Sequence, residues 1–156
     1  MTETMNITVT INGEAISRDA PVRQNLVDFI RTEAGLTGSH VGCEHGVCGA
    51  CTIEVDGQAV RGCLMLAVQA DGAEVTTVEG FGDRAAGLRE AFATRNALQC
   101  GYCTPGMLAS ALEYIEAGGT ADRAAIREHI SGNYCRCTGY QSIVEAIADV
   151  IEGGRA

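Results

Sequence analysis

The stretch Gly42-Cys-Glu-His-Gly-Val-Cys-Gly-Ala-Cys-Thr52 places three of the eight cysteines of this 156-residue chain within nine positions. Cys63 follows after eleven further residues and completes a first set of four, here called the first tetrad. The other cysteines form the second tetrad, spaced as Cys-x2-Cys and then Cys-x-Cys, at Cys100, Cys103, Cys135 and Cys137. Because no cysteine is left over, the chain is predicted to hold two metal centres.

The spacing of the first tetrad is typical of a [2Fe–2S] site. Plant-type ferredoxins bind this cluster with Cys-x4-Cys-x2-Cys and a later fourth cysteine. Gly46 and Gly49 allow the backbone to curl around one point and to direct its N–H groups toward sulfur. Cys63 follows sooner than the fourth ligand of simple plant ferredoxins, so the loop is a variant of that pattern. We predict a [2Fe–2S] cluster here, in preference to zinc or free thiols.

The second tetrad is less specific, because Cys-x2-Cys with Cys-x-Cys could also hold zinc. Beside a first iron–sulfur centre, a second [2Fe–2S] cluster is favoured, since two centres extend the range of electron flow. Each half of this tetrad comes just before a predicted helix, whose positive N-terminal end favours an anionic cluster. The repeat suggests two helical hairpins related by a pseudo-twofold axis and joined at one cluster.

Other motifs favour no further chemistry. His45 forms a Cys-x-His pair with Cys43, but a Rieske site needs a second Cys-x2-His, and Cys48 is followed by another cysteine instead. His40 and His129 belong to no constellation. Gly80-x-Gly82 hints at a dinucleotide fingerprint but lacks the βαβ unit and the following acid, so we reject it. With no Ser-His-Asp set or phosphate loop, the chain is not predicted to convert an organic substrate alone.

The order of predicted elements is a mixed sheet with one crossing helix, followed by helices. Strands are predicted over 5–11 and 14–18 around an Asn12-Gly13 turn, and Asn25 is predicted to cap a helix that ends near Gly35. Three more strands are expected over 52–55, from the Asp56-Gly57 turn to near Cys63, and over 74–78. Helices are predicted over 88–97, 105–117, 120–130 (capped by Thr120) and 141–151.

Composition narrows the class of protein. The net charge of −9 argues against nucleic acid and against an anionic membrane surface. No stretch is long enough to span a bilayer, and the polar, alternating N-terminus is not a signal peptide. A cytoplasmic location is therefore expected, where cysteine clusters suggest metal rather than disulfides. Aromatic residues are only 4%, which fits small cores completed by metal centres.

Three motifs together resemble the iron–sulfur small subunit of the molybdenum hydroxylases, the family of xanthine dehydrogenase, aldehyde oxidoreductase and aerobic carbon monoxide dehydrogenase. They lie at 42–52, 98–107 and 132–141, and the resemblance runs from about Asn6 to Ile151. It implies an α+β fold with an N-terminal β-grasp, plant-type ferredoxin-like domain over 1–79. A linker over 80–87 and an all-α four-helix [2Fe–2S] domain over 88–156 are expected to follow.

The resemblance also implies roles for these residues. Cys43, Cys48, Cys51 and Cys63 would hold an outer cluster facing a flavin, and Cys100, Cys103, Cys135 and Cys137 an inner cluster facing molybdenum. Gln99 and Cys137 would lie next to the molybdopterin. A large subunit would carry molybdopterin cytosine dinucleotide and hydroxylate the substrate, a medium subunit would carry FAD, and the three would assemble as a dimer of heterotrimers. This chain would pass electrons from molybdopterin to FAD.

Two other classes of protein stay open at this point. A free ferredoxin-like shuttle should have a largely polar, acidic surface, whereas an obligate subunit should bury wide apolar patches. The weakly polar runs 63–70 and 103–111 favour the subunit. A zinc-stabilised interaction module would be colourless. The resemblance implies that the large subunit selects the substrate, whether carbon monoxide, an aldehyde, a purine, an N-heterocycle or an acyl-CoA thioester. It leaves the reaction direction open, since family members that reduce their substrate use a similar chain of clusters.

Overall fold

Residues 3–154 are described by a computed structural model, in which a five-stranded sheet with one helix precedes four further helices. The strands are β1 (Thr4–Ile11), β2 (Glu14–Pro21), β3 (Thr52–Val55), β4 (Gln58–Arg61) and β5 (Glu74–Thr76). The helices are α1 (Leu26–Glu33), α2 (Ala86–Thr94), α3 (Thr104–Glu116), α4 (Arg123–His129) and α5 (Gln141–Glu152). Within this part of the chain, no helix combines the length and the apolar character needed to cross a membrane.

The sheet has the strand order β2-β1-β5-β3-β4, with β1 parallel to β5 and every other neighbouring pair antiparallel. Alternate residues of β1 point into a core against α1, whose Leu26, Phe29 and Ile30 are fully buried. The predicted cap of α1 is confirmed, because the Asn25 side chain accepts a hydrogen bond from the Asp28 N–H at 2.8 Å. The predicted mixed sheet crossed by one helix is therefore confirmed.

The four later helices enclose a second apolar core that is separate from the first. Its large members include Phe81, Leu88, Phe92, Met107, Leu112, Ile126, Ile143 and Ile147. A 3-10 turn over Gly82–Ala85 leads into α2, and Phe81 and Ala85 are already buried in this core. Two separate cores support the predicted division into 1–79 and 88–156, which we propose as the domain boundaries.

The start of α4 differs from the prediction. Thr120 was expected to cap this helix, but Asp122 does so, because its carboxylate accepts from the Ala124 and Ala125 N–H groups at 3.4 and 3.1 Å. The Thr120 backbone is engaged elsewhere: its N–H donates to the Tyr114 hydroxyl at 3.1 Å, and its carbonyl accepts from that hydroxyl at 2.9 Å. A tyrosine 6 residues away in sequence thus holds Thr120 in the turn before the helix.

Charged side chains connect the sheet to the helical half. The Glu54 side chain on β3 is only 7% exposed, and Arg84 donates to both of its carboxylate oxygens at 3.0 Å. Arg84 also binds Glu116 on α3, and these bonds, first to Glu116 and then to Glu54, raise the pKa of the Arg84 guanidinium. Because a buried carboxylate is costly without a partner, Arg84 stabilises the contact between the two halves.

Candidate metal centres

The loop that carries the first tetrad lies between α1 and β3 and is shaped by left-handed residues. Glu44, Gly46 and Gly49 have φ values of 57°, 84° and 74°. A Cβ atom added to Gly46 would lie 2.4 Å from Cδ1 of Leu64, the neighbour of Cys63. The loop therefore folds back over the chain that leaves β4, and glycine is needed at the point of contact.

The register of the β3–β4 hairpin brings two cysteines of the first tetrad together. Thr52 pairs with Arg61, so Cys51 enters the hairpin close to where Cys63 leaves it, and the Gly62 N–H donates to the Cys51 carbonyl at 3.1 Å. The Cys63 side chain lies close enough to Cys51 to influence its pKa, and Cys48 stands in the same relation to Cys43. The first tetrad thus consists of two sulfur pairs.

Cys43 and Cys51 of the first tetrad have opposite electrostatic environments. Backbone hydrogen bonds from His45 and then from Cys48 lower the pKa of Cys43 to about 6. Burial raises the pKa of Cys51 to about 12, although a backbone hydrogen bond from Cys63 acts in the opposite direction. Metal binding would draw the proton from a buried thiol such as Cys51, since only the thiolate is a ligand.

The second tetrad is assembled from the segments before α3 and α5. Cys103 immediately precedes α3, and Cys100 lies beyond the left-handed Gly101. The Cys100 and Cys137 sulfurs are 3.6 Å apart, and the Cys103 and Cys135 thiols lie close enough to influence each other's pKa. The two halves of the predicted repeat therefore converge, while the pseudo-twofold axis itself stays a prediction.

Thr138 makes the surroundings of Cys135 differ from those of Cys103. Burial raises the pKa of Cys103 to about 12, with a further contribution from Cys135. Burial is also the largest single influence on Cys135, yet the hydroxyl and backbone N–H of Thr138, together with smaller contributions from Cys137 and Cys103, lower the pKa of Cys135. The Cys135 sulfur is thus prepared as a thiolate by a neighbour to which the sequence had assigned no role.

The sulfurs of both tetrads meet two by two rather than around single points. Across residues 3–154, no three His, Cys, Asp or Glu side chains surround one position suited to a single metal ion. A structural zinc site gathers four ligands on one ion, with each sulfur about 2.3 Å from it. A [2Fe–2S] cluster takes four thiolates shared between two irons. The paired sulfurs therefore fit the two-iron donor set.

The two tetrads lie on either side of one cleft of about 170 Å³. Cys48 of the first tetrad and all four cysteines of the second line it. The Tyr134 N–H donates to the Cys48 carbonyl at 2.8 Å, so one hydrogen bond joins a first-tetrad cysteine to the residue before Cys135. The next residue after Cys48 is also in close contact with the helical half. A Cβ atom added to Gly106 on α3 would lie 2.1 Å from the Gly49 carbonyl oxygen. The two halves thus touch backbone to backbone.

A buried asparagine fixes the same contact. The Asn133 side chain donates to the Gly49 carbonyl at 3.2 Å and accepts from the Ser110 hydroxyl at 2.9 Å. Arg61 donates to the Gly132 carbonyl at 2.9 Å and also to the Thr52 hydroxyl. These bonds position the segment that leads into Cys135 against the loop of the first tetrad.

The remaining predicted site residues lie at or near the surface. Gln99, Cys100 and Cys137 are exposed, which leaves this end of the second tetrad open. His45 is exposed and contacts the Cys43 carbonyl through Nδ1. His40, for which no constellation was predicted, stacks on Tyr102 with ring centroids 4.6 Å apart and so contacts the helical half.

Cysteine spacing gives no indication of four residues that shape the second tetrad and its link to the first. All four lie within residues 132–141, the motif that also contains Cys135 and Cys137. Their position in this motif is the only sequence feature that indicates a role for them. They are Asn133, Tyr134, Thr138 and Tyr140.

Comparison with known proteins agrees with this geometry. The family model described as "2Fe-2S iron-sulfur cluster binding domain" matches residues 9–80, and that described as "[2Fe-2S] binding domain" matches residues 77–148. Caffeine dehydrogenase subunit gamma of Pseudomonas sp. (strain CBB1) is 53% identical over 151 residues, covering 92% of this chain and 89% of that protein. The nicotine 6-hydroxylase small subunit of Paenarthrobacter nicotinovorans is 51% identical over 146 residues, covering 93% and 88%.

A solved structure is similar along nearly the whole chain. A chain of quinoline 2-oxidoreductase from Pseudomonas putida 86 superposes with a TM-score of 0.89 at 44% identity, covering 98% of this chain and 99% of that one. The matches define the class as a protein of two [2Fe–2S]-binding domains in an α+β fold. The chain belongs to the family of iron–sulfur small subunits of the molybdenum hydroxylases, which confirms the predicted family and fold class.

We predict that Asn133→Ala loosens the contact between the two tetrads. The substitution leaves a small cavity and a buried Ser110 hydroxyl without its partner, so it should destabilise the protein by about 2 kcal/mol. Exchange of the Tyr134 amide hydrogen should also accelerate, as measured by hydrogen–deuterium exchange. Ser110→Ala is the control and should have a smaller effect on that amide. Unchanged Tyr134 exchange in Asn133→Ala would contradict the role given to Asn133.

Proposed function

We propose that this chain is the electron-transfer subunit of a molybdenum hydroxylase. In this role, two [2Fe–2S] clusters pass single electrons from a molybdopterin centre on a large subunit to FAD on a medium subunit. The observation that carries the proposal is the bond from the Tyr134 N–H to the Cys48 carbonyl, which connects the two tetrads across one short contact. Electron transfer between two clusters requires such proximity, whereas two independent structural sites do not.

Each tetrad is proposed to hold one cluster, with each sulfur pair serving one iron. The pairs of the first tetrad are Cys43 with Cys48 and Cys51 with Cys63; those of the second are Cys100 with Cys137 and Cys103 with Cys135. The protein itself contributes N–H donors to sulfur, left-handed turns that curl the loops, and apolar cores that hold the pairs in place. The clusters, when bound, supply one-electron transfer.

Exposed apolar side chains around both tetrads are evidence for interfaces with partner subunits. Near the second tetrad, Leu98, Tyr102 and Tyr134 are 39%, 49% and 58% exposed. Near the first tetrad, Val47 and Leu64 are 45% and 61% exposed. Such side chains favour an obligate subunit over a free shuttle, whose surface would be mostly polar. We propose that the large subunit covers the second tetrad and the medium subunit covers the first.

Gln99 and Cys137 are proposed to lie next to the molybdopterin. Both residues are exposed, so a partner subunit could reach them. The assembly is proposed to be a dimer of heterotrimers in the cytoplasm.

The names of the relatives given above contain caffeine, nicotine and quinoline, and all three compounds contain nitrogen heterocycles. We therefore propose an N-heterocycle as the substrate class of the large subunit.

Native mass spectrometry of the protein purified from its own host, with iron and molybdenum counted on the same sample, tests this function. Co-purification with a molybdenum-bearing large chain and about four iron atoms per copy of this chain is expected. A lone chain with about four iron atoms and no molybdenum would favour the ferredoxin-like shuttle. A colourless chain that contains zinc would contradict both.

The assignment of ligands predicts separable losses. In the holoenzyme, Cys43→Ser should remove the paramagnetic signal of the reduced first-tetrad cluster, while the signal of the second persists. Cys100→Ser is the reciprocal variant and should spare the first signal, because the two tetrads belong to separate cores. Iron analysis and EPR spectroscopy measure both. Loss of the second-tetrad signal in Cys43→Ser would reverse the assignment of cysteines to centres.

Gln99 is predicted to assist electron entry rather than cluster assembly. Gln99→Ala should slow reduction of the second-tetrad cluster by substrate about tenfold, as expected for one lost hydrogen bond of roughly 1.4 kcal/mol. Stopped-flow absorbance with the holoenzyme measures the rate, and iron analysis checks that cluster content is unchanged. Gln58→Ala, on the exposed end of β4, is the matched control. Equal reduction rates in wild type and Gln99→Ala would remove Gln99 from the interface.

A further inference from the structure

A closed ring of hydrogen bonds surrounds the Cys135 sulfur of the second tetrad. The Cys135 N–H donates to the Tyr140 hydroxyl at 2.8 Å, and the Tyr140 N–H donates to the Thr138 hydroxyl at 3.1 Å. The Thr138 hydroxyl in turn lies 3.1 Å from the Cys135 sulfur, and its backbone N–H lies 3.4 Å from the same atom. The ring closes within six residues, just before α5 begins at Gln141.

The ring fixes the direction of the Thr138 hydroxyl bond. A backbone N–H can only donate, so the Thr138 oxygen must accept from Tyr140. This leaves the hydroxyl hydrogen free to point at Cys135, and a thiolate ligand has no hydrogen of its own to give. Thr138 therefore donates to Cys135 twice, through its hydroxyl and through its N–H.

The equivalent residue after the other half of the tetrad behaves differently. Thr104 follows Cys103 as Thr138 follows Cys137, so the sequence gives the two threonines matching positions. Within the described part of the chain, however, the Thr104 hydroxyl is buried and makes no hydrogen bond. Of the two hydroxyl groups, only that of Thr138 thus forms a hydrogen bond with a sulfur of the tetrad.

We propose that the Thr138 hydroxyl is a positioning group that raises the reduction potential of the second-tetrad cluster. The inference rests on the proposed function and extends it to one residue. Reduction adds one electron and no proton to a cluster that is already anionic, so a donor on a ligand sulfur stabilises the reduced form more than the oxidised form. During turnover the electron comes from the molybdenum centre of the large subunit. A higher potential at the second tetrad favours its arrival there.

The test is a mediated redox titration of the holoenzyme with dithionite as reductant, followed by EPR. The signal that survives in Cys43→Ser identifies the second-tetrad cluster, and the first-tetrad cluster serves as an internal reference. Thr138→Val should lower the reduction potential of the second-tetrad cluster by about 59 mV. For a one-electron couple, this change moves the distribution of an electron between the two clusters about tenfold toward the first-tetrad cluster. Thr138→Ser, which keeps the hydroxyl, should restore the wild-type potential. Thr104→Val should leave it unchanged.

Further readouts separate tuning from mere structural support. Iron content should stay at the wild-type level in Thr138→Val, and pulsed EPR in D2O should lose one coupled exchangeable deuteron. If the valine variant does not assemble its cluster, Thr138→Ala replaces it. An unchanged potential in Thr138→Val or Thr138→Ala, or an equal shift in Thr104→Val, would overturn the proposal and leave the proposed function standing. Wild-type protein without two reducible iron–sulfur signals would overturn both.

Discussion

The close approach of the first-tetrad loop to α3 is the contact on which the rest of the structure depends. The Gly49 carbonyl lies so near Gly106 that an added Cβ atom would be 2.1 Å from its oxygen. With no side chain between them, the backbone of one half lies directly on the backbone of the other. Asn133 and Arg61 then satisfy the carbonyl groups at this contact, which a buried interface requires. The distance between the two tetrads follows from this arrangement.

Backbone and hydroxyl donors face sulfur atoms of both tetrads. The chain has a net charge of −9, and each oxidised [2Fe–2S] centre with four thiolates would add roughly −2. Hydrogen bonds from His45, Cys48 and Thr138 are directed at sulfur atoms. Such fixed dipoles need little rearrangement when an electron arrives or leaves. The acidic surface and the neutral donors around the sulfurs are therefore compatible with repeated one-electron transfer.

Much of the fold could be predicted because its signals are local. The Asn12-Gly13 turn and the Asn25 cap act within a few residues, and the structure confirms the strands and the helix around them. The start of α4 could not be predicted from Thr120, because Tyr114 holds that residue through a contact from the preceding helix. The spacing of the cysteines likewise predicted two groups of four, and the structure brings the members of each group together.

The sequence by itself determined that there are two tetrads. It also placed the first tetrad among the strands and the second before two of the helices. Ligand spacing is a local property, since a short loop can reach one point in few ways. Only the tertiary structure decided which sulfurs form pairs, that Tyr134 bonds to Cys48, and that Thr138 contacts a sulfur while Thr104 does not. These features depend on how segments tens of residues apart approach one another. Packing of the two cores fixes that approach, and cysteine spacing does not encode it.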